Sequence, residues 1–338
     1  MLISVVIPCR NEVLNIEECV NAIYNSKLKN GLSIEVILVD GLSDDGTLEV
    51  VNDLKKRYST LIVVNNIKQV TPVAFNLGIK KAQGEFVQII GARQIISANY
   101  LQGCIDTLNT DKDIWCVGGG VENVYQTKES EIIGLAMASS FGVGAGNFRV
   151  AKKSEFTDTV GTPMYRMNVF TKIGYFNENL VRNQDDEFNY RVTSNGGKIF
   201  LNTEITIKYF VRASVSKLFK QYMQYGYWKV YVNKLHNTIT SVRQLIPLFF
   251  VIGIILGAIL TFFSSIFTML FLIGISLYCL LAIYFGVKSS SNVSKALRVM
   301  LIFPVLHWSY GYGYLKGLIH FFILKKNPSQ KSKSLSRG

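Results

Sequence analysis

Short apolar runs alternate with helically spaced apolar positions through the first third of the chain. Residues 3–7 form a β-branched run that stops at Pro8, and residues 34–39, 61–64, 86–90 and 114–117 are further runs of the same kind. Runs of this length, bounded by polar turn residues, predict buried strands. Between them the apolar spacing becomes helical. Residues 14–26 bring Ile16, Cys19, Val20 and Ile23 to one face, and helices are predicted from about 47 to 57 and from 71 to 82. Thr71 before Pro72 reads as an N-cap with proline in the first helical position, and Ser97 as the cap of another helix. This alternation predicts an α/β fold with a mostly parallel sheet covered on both faces. Ligands of such sheets bind beyond the carboxyl ends of the strands, which singles out residues 8–12, 40–45 and 91–94.

A different pattern takes over later. No charge occurs between Arg243 and Lys288, a run of 44 residues. As helix it would be about 66 Å long, enough to cross a roughly 30 Å hydrocarbon core twice. We expect membrane helices over 245–263 and 266–287, turned at Ser264 and Ser265. The charges agree with this division. Residues 1–204 carry all 23 acids and 20 bases, whereas residues 205–338 carry 16 bases and no acid. The net charge of +13 therefore belongs to one end of the chain, which argues against a nucleic-acid-binding domain. Basic residues flank the uncharged run on both sides. The positive-inside rule puts both flanks in the cytoplasm and the Ser-Ser turn outside. The N-terminal residues show no targeting signal, so the first domain is expected to stay cytoplasmic on a multi-pass inner-membrane protein. The apolar stretch 299–324 leaves two readings open, a third crossing or a re-entrant or interfacial segment, the latter favoured by its aromatic residues and by the basic tail. Residues 213–243 interleave lysines with Phe219, Tyr222, Tyr225, Tyr227, Trp228 and Tyr231, which suits amphipathic helices in the headgroup layer. The expected organisation is thus 1–212 catalytic, 213–243 interfacial, 244–287 membrane, 288–326 the third apolar segment and 327–338 a basic disordered tail. The five cysteines show no CxxC pair and read as reduced thiols.

Four polar strings carry candidate chemistry. PCRNE at 8–12 could be a helix-capping turn or a ligand loop. VDGLSDDGT at 39–47 offers carboxylates to a base or ribose hydroxyl, or merely caps. An arginine after a strand, Arg93 in GAR at 91–93, suits a diphosphate because its planar fork binds two phosphate oxygens, but could equally form a surface salt bridge. NQDDEFNYR at 183–191 puts three carboxylates in succession. Such a cluster can raise one pKa and make a general base, or can simply complement a helix N-terminus.

Taken in order, SVVIPCRNE, VDGLSDDGT, AFNLGIKKAQGEF and GYFNENLVRNQDDEFNYR resemble the family-two glycosyltransferases of GT-A (Rossmann-like) fold. NQDDEFNYRVTSNGGKI and HWSYGYGYLKG are similar, more narrowly, to the membrane-anchored enzymes of succinoglycan-type exopolysaccharide synthesis. The resemblance implies an inverting transfer from a nucleotide-sugar, with UDP the family's usual nucleotide, to a lipid-linked or glycan acceptor. It implies that Pro8, Arg10, Asn11, Glu12, Asp40 and Asn76 surround the nucleotide, with Gly78 on the same helix as Asn76. It makes Asp185 the catalytic base, preceded by Gln184 where the family has an acid. Asp186, Glu187, Arg191, Gln221 and Trp228 are expected to support the site or the acceptor. Residues 221–228 (QYMQYGYW) match the Gln-x-x-Arg-Trp element of processive synthases only in Gln and Trp, which weighs against that alternative. Residues 142–146 (GVGAG) and the loop to Thr162 are expected to form an acceptor lid. The family holds Mg²⁺ or Mn²⁺ with Asp-x-Asp after the fourth strand, where this chain has Gly91-Ala92-Arg93. Arg93, with Lys68, is expected to replace part or all of the metal's charge, which leaves Mg²⁺ or Mn²⁺ open as a cofactor; the alternative is a catalytically impaired nucleotide-binding scaffold.

Overall fold

In the computed structural model the chain folds as two compact units, residues 1–124 with 151–210, and residues 125–150 with 211–338. The structure describes residues 1–144, 148–211 and 213–328. Parts of the expected lid (145–147) and of the expected tail (329–338) lie outside the described residues.

The first unit opens with β1 (Leu2–Cys9), α1 (Ile16–Tyr24), β2 (Ser33–Asp40), α2 (Thr47–Arg57), β3 (Leu61–Asn65), α3 (Thr71–Lys81) and β4 (Phe86–Ile89). Then come β5 (Gln94–Ile96), α4 (Tyr100–Thr110) and β6 (Ile114–Val124). The second unit contributes α5 (Lys128–Met137) and α6 (Ser140–Val143). The chain returns to the first unit with β7 (Glu155–Phe156), β8 (Gly161–Arg166), α7 (Met167–Ile173), α8 (Gln184–Ser194) and β9 (Lys198–Phe210). It closes in the second unit with α9 (Val215–His236), α10 (Leu245–Leu260), α11 (Ser265–Ser289) and α12 (Val293–Leu318).

The strands form one nine-stranded sheet in the order β3-β2-β1-β4-β8-β6-β9-β5, with β7 paired to β9. β3, β2, β1 and β4 are mutually parallel, as the alternation predicts. β8 then inserts antiparallel between β4 and β6, so the sheet is mixed. Val5, Val6 and Ile7 are fully buried, which fits a central strand covered on both faces. α1 buries the expected stripe of Ile16, Cys19, Val20 and Ile23. α3 lies so close to β1 that a Cβ on Gly78 would stand 2.3 Å from Val6. That contact accounts for Gly78 by packing.

Two predicted caps shift. Val70, in extended conformation, is the N-cap of α3, so Thr71 lies inside the helix, and Asn99 rather than Ser97 precedes α4. Cys9, Cys19, Cys104 and Cys116 are buried free thiols. Burial pushes Cys19 up to about 12, with the Glu12 charge adding to it.

The second unit is helical. Val242–Leu260 and Ser265–Ser289 are long and apolar enough to cross a membrane. Ser264 caps α11 by accepting from the Ile266 N–H, so the Ser-Ser turn falls where the uncharged run is divided. The third apolar stretch is a single helix, α12, with Pro304 inside it, ending in a π-helical turn over Ile319–Ile323. Residues 215–236, expected at an interface, form the one helix α9, whose buried residues include Trp228, Val230 and Val232. α9 packs on α12 backbone to backbone. A Cβ on Gly226 would lie 2.0 Å from the Tyr310 carbonyl oxygen, and one on Gly313 2.0 Å from that of Met223. Gly142, from the expected lid, is packed against the Ala136 carbonyl within this unit.

Candidate active site

The chain passes from β1 to β2 and β3 on one side, then crosses to β4 on the other. The resulting switch point falls between β1 and β4, and in such sheets ligands bind in the crevice beyond the carboxyl ends of the strands. The loops around it are tied to one another. Asp40, fully buried at the end of β2, accepts from the Ser43 backbone N–H (3.0 Å) and hydroxyl (2.5 Å). Ser43 in turn accepts from the Asn11 N–H at 2.9 Å. The Asn11 amide donates to Asp44 at 2.8 Å and accepts from the Asp44 N–H at 3.1 Å. The Glu12 N–H donates to the Thr47 hydroxyl at 2.9 Å. Asp45 accepts from Thr47 and from the Val13 N–H, and these bonds hold its carboxyl below its ordinary range. The β1 and β2 loops are thus one cross-linked rim. Arg10 is exposed, and its side chain lies 3.2 Å from where a Cβ on Gly41 would stand. Pro8 is the penultimate residue of β1, paired with Val39.

Backbone strain collects along the same edge. Asn11, Leu42, Gln69, Thr162 and Asn183 have φ of 52–60° without being glycine. Non-glycine residues are uncommon in that region, and such strain gathers at functional sites. Several buried polar atoms without a hydrogen-bond partner among the described residues also lie in the first unit: Asn66 Oδ1, Gln88 Oε1, Thr162 Oγ1 and Gln184 Oε1.

Arg93 ends the short loop between β4 and β5. Its Nε donates to both carboxylate oxygens of Glu12, at 2.7 and 2.9 Å. Glu12 also accepts from the Asn15 amide at 3.0 Å. The two nominated site residues are therefore an ion pair. Lys68, expected to act with Arg93, is bridged to Glu178 at 3.0 Å.

Asp185 stands in the first turn of α8 and is exposed. β9 is parallel to β6, β6 antiparallel to β8, and β8 antiparallel to β4, so β9 points the same way as β1 and β4. α8 enters β9 through residues 195–197 alone. Its C-terminus therefore sits at the start of β9, and its N-terminus, with Asp185, lies toward the carboxyl edge of the sheet. Asp185 Oδ1 accepts from the Asp186 N–H at 2.9 Å.

The surroundings of α8 explain several other nominated residues. Buried Asn76 donates to the Phe176 carbonyl (2.9 Å) and Glu178 (3.2 Å) and accepts from the Phe176 N–H (3.0 Å). Its amide is spent on the loop before α8. Lys68 and Asn76 hold the Glu178 carboxyl below its usual range. Glu187 and Arg191 form a two-point ion pair at 2.8 and 3.0 Å, and Arg191 also donates to the carbonyls of Ile173 and Tyr175. Phe188 packs on Phe176, with ring centroids 4.4 Å apart. Burial pushes the Tyr165 hydroxyl far up, so it stays a donor to Asn189 at 3.0 Å. Gln221 and Trp228 belong to the second unit, where Gln221 donates to the Tyr225 hydroxyl at 2.7 Å and Trp228 is buried. Sequence reasoning did not single out Glu178 or Asn66. Asn66 follows a predicted strand end, the signal that singled out the other loops.

A switch-point crevice rimmed by Asp40 and Asn11, with an acid-headed helix starting toward the same sheet edge, defines a GT-A-type transferase domain. Residues 4–174 match the model of glycosyl transferase family 2, and the chain belongs to that family: it is a glycosyltransferase. It is 29% identical over 325 residues to a dolichyl N-acetyl-alpha-D-glucosaminyl phosphate 3-beta-D-2,3-diacetamido-2,3-dideoxy-beta-D-glucuronosyltransferase of Methanococcus voltae, covering 94% of this chain and 97% of that protein. It is 26% identical over 247 residues to the succinoglycan biosynthesis protein ExoA of Rhizobium meliloti, covering 72% and 74%. In fold it is similar to a mannosyltransferase of Pyrobaculum calidifontis solved with GDP-Man and Mn²⁺, with a TM-score of 0.63 over 94% of this chain and 86% of that one, at 15% identity.

A divalent ion on the donor diphosphate is what this family implies. The residues here do not fit one. Gly91, Ala92 and Arg93 place no side-chain oxygen after β4. Asp40 is committed to Ser43, and Glu12 to Arg93 and Asn15. Among the described residues no group of three His, Cys, Asp or Glu is arranged to hold a metal.

Proposed function

We propose that the protein is a membrane-anchored inverting glycosyltransferase that moves a sugar from a nucleotide-sugar to a hydroxyl of a lipid-linked or polysaccharide acceptor, with Asp185 as general base. The observation that carries this reading is the exposed Asp185 carboxylate at the head of a helix pinned by Asn76, Arg191 and Phe188. In a single displacement the base takes the acceptor hydroxyl proton as that oxygen bonds to the anomeric carbon. The bond from that carbon to the diphosphate breaks on the opposite face, and its electron pair leaves with the nucleotide. One positioned carboxylate suffices for the proton transfer, a task typically worth about 10²–10⁴-fold.

The names of two relatives support the acceptor class, one describing a transfer to a dolichyl-linked sugar phosphate, the other succinoglycan synthesis. The orphaned polar atoms of the first unit support a polar ligand. The two apolar helices support a multi-pass anchor in the cell membrane. The basic residues on both of its flanks support a cytoplasmic catalytic domain.

Asp185→Asn tests the assignment of the base. Sugar transfer by the purified protein should fall about 10²–10⁴-fold, while donor affinity stays within a factor of a few. Transfer at the wild-type rate would remove Asp185 from the mechanism.

A further inference from the structure

We propose that Arg93 binds the donor diphosphate and meets the charge of the leaving nucleotide in place of a divalent ion, and that Glu12 is the positioning residue that orients its guanidinium. This rests on the reading that a nucleotide-sugar occupies the crevice between β1 and β4. Both side chains arise there: Glu12 from the loop after β1, Arg93 from the loop after β4.

The geometry of the pair gives the roles. Glu12 grips Arg93 through Nε, with both oxygens within 2.9 Å. A guanidinium held at Nε keeps the edge between its two terminal nitrogens for a second partner. That edge is the fork that matches two phosphate oxygens. Glu12 is itself fixed, by the Asn15 amide on its carboxylate and by Thr47 on its backbone N–H. Its side chain is 14% exposed, whereas that of Arg93 is 64% exposed. The carboxylate is thus the anchored inner member and the guanidinium the outward one. Lys68 is bridged to Glu178, whereas Arg93 comes from the loop between β4 and β5 and is held by Glu12.

The assignment closes the chemistry of transfer without a further reactant. The acceptor oxygen bonds to the anomeric carbon, its proton goes to Asp185, and the departing electron pair comes to rest on the diphosphate. Arg93 stands ready as a fixed cation for that added charge, and preorganised charge is what such a step requires.

The test is calorimetric binding to the full-length protein in detergent micelles. UDP, GDP, UMP and GMP are titrated in excess EDTA and again with MnCl₂. With wild-type protein one diphosphate should bind in EDTA at least about tenfold more tightly than its monophosphate, as expected for one charge-assisted contact. Mn²⁺ should change that affinity less than about threefold. Arg93→Gln should abolish the diphosphate preference but retain monophosphate binding, which also shows that the variant is folded. Glu12→Gln should take the preference part of the way down. A diphosphate that binds only with Mn²⁺, or a preference that survives Arg93→Gln, overturns the proposal. If neither diphosphate binds wild-type protein under either condition, the nucleotide-sugar reading itself fails and the proposal fails with it.

Discussion

Arg191 illustrates how single residues support this site from behind. Its guanidinium meets Glu187 at two points and reaches two backbone carbonyls of the segment that ends α7. Glu187 is almost wholly buried, with 5% of its side chain exposed. Removing one partner of a buried ion pair leaves an uncompensated charge and costs about 3–5 kcal/mol. Arg191→Met should therefore lower the thermal unfolding midpoint markedly in a calorimetric scan. Asp185→Asn, at an exposed position, should leave that midpoint nearly unchanged. If Arg191→Met unfolds like the wild type, the pair does not support α8. The residue types in NQDDEFNYR are visible in the sequence. Their division of labour is not, because three adjacent acids look alike until their partners are known. Asp185 is exposed, while Glu187, two positions on, turns inward to Arg191.

At the scale of elements, β1 to β4 were legible because each is a local apolar run bounded by turn residues, while the three-residue β5 (Gln94–Ile96) was read as part of a loop. β6 was legible only at its start. The three glycines at 118–120 read as the end of a strand, yet the strand runs through them to Val124. A Cβ on Gly119 would stand 2.5 Å from the Tyr100 ring and 2.6 Å from the Ile205 carbonyl. Those residues are needed because distant chain crowds the strand, which no local window reveals. The same holds for α9 and α12. Gly313 and Gly317 give α12 a small-x-x-x-small face, and Gly226 answers it from α9. Close backbone approach of this kind maximises packing between apolar helices. Gly313→Val must push the helices apart, and overpacking of this sort typically costs about 1–3 kcal/mol. The expected outcome is a loss of several degrees in the unfolding midpoint of the detergent-solubilised protein. An unchanged midpoint would mean that the two helices do not depend on this contact.

For the whole molecule, the proposed membrane arrangement can be read chemically. Ser264 lies in the turn between the two apolar helices, and Lys288 lies in the last turn of the second. With both basic flanks in the cytoplasm, Ser264→Cys should react with a membrane-impermeant maleimide on intact cells. Lys288→Cys should react only after the cells are opened. Wild-type protein, with Cys279 in α11, gives the background. The reverse pattern would invert the orientation.

By itself the sequence determined the features that depend on near neighbours. These are the parallel strands of the first half, the loops at their carboxyl edge, and the uncharged run long enough for two crossings. Each follows from periodicity or from the cost of placing charge in hydrocarbon, and both can be counted along the chain. The tertiary structure decided which polar groups face one another. Glu12 and Arg93 are 81 residues apart in sequence, and Asn76 and Phe176 are 100 apart. A cation read as waiting for a ligand and a cation held in place by a carboxylate have the same residue name. Only the folded sheet, by bringing the β1 and β4 loops to one crevice, shows that Arg93 is held by Glu12.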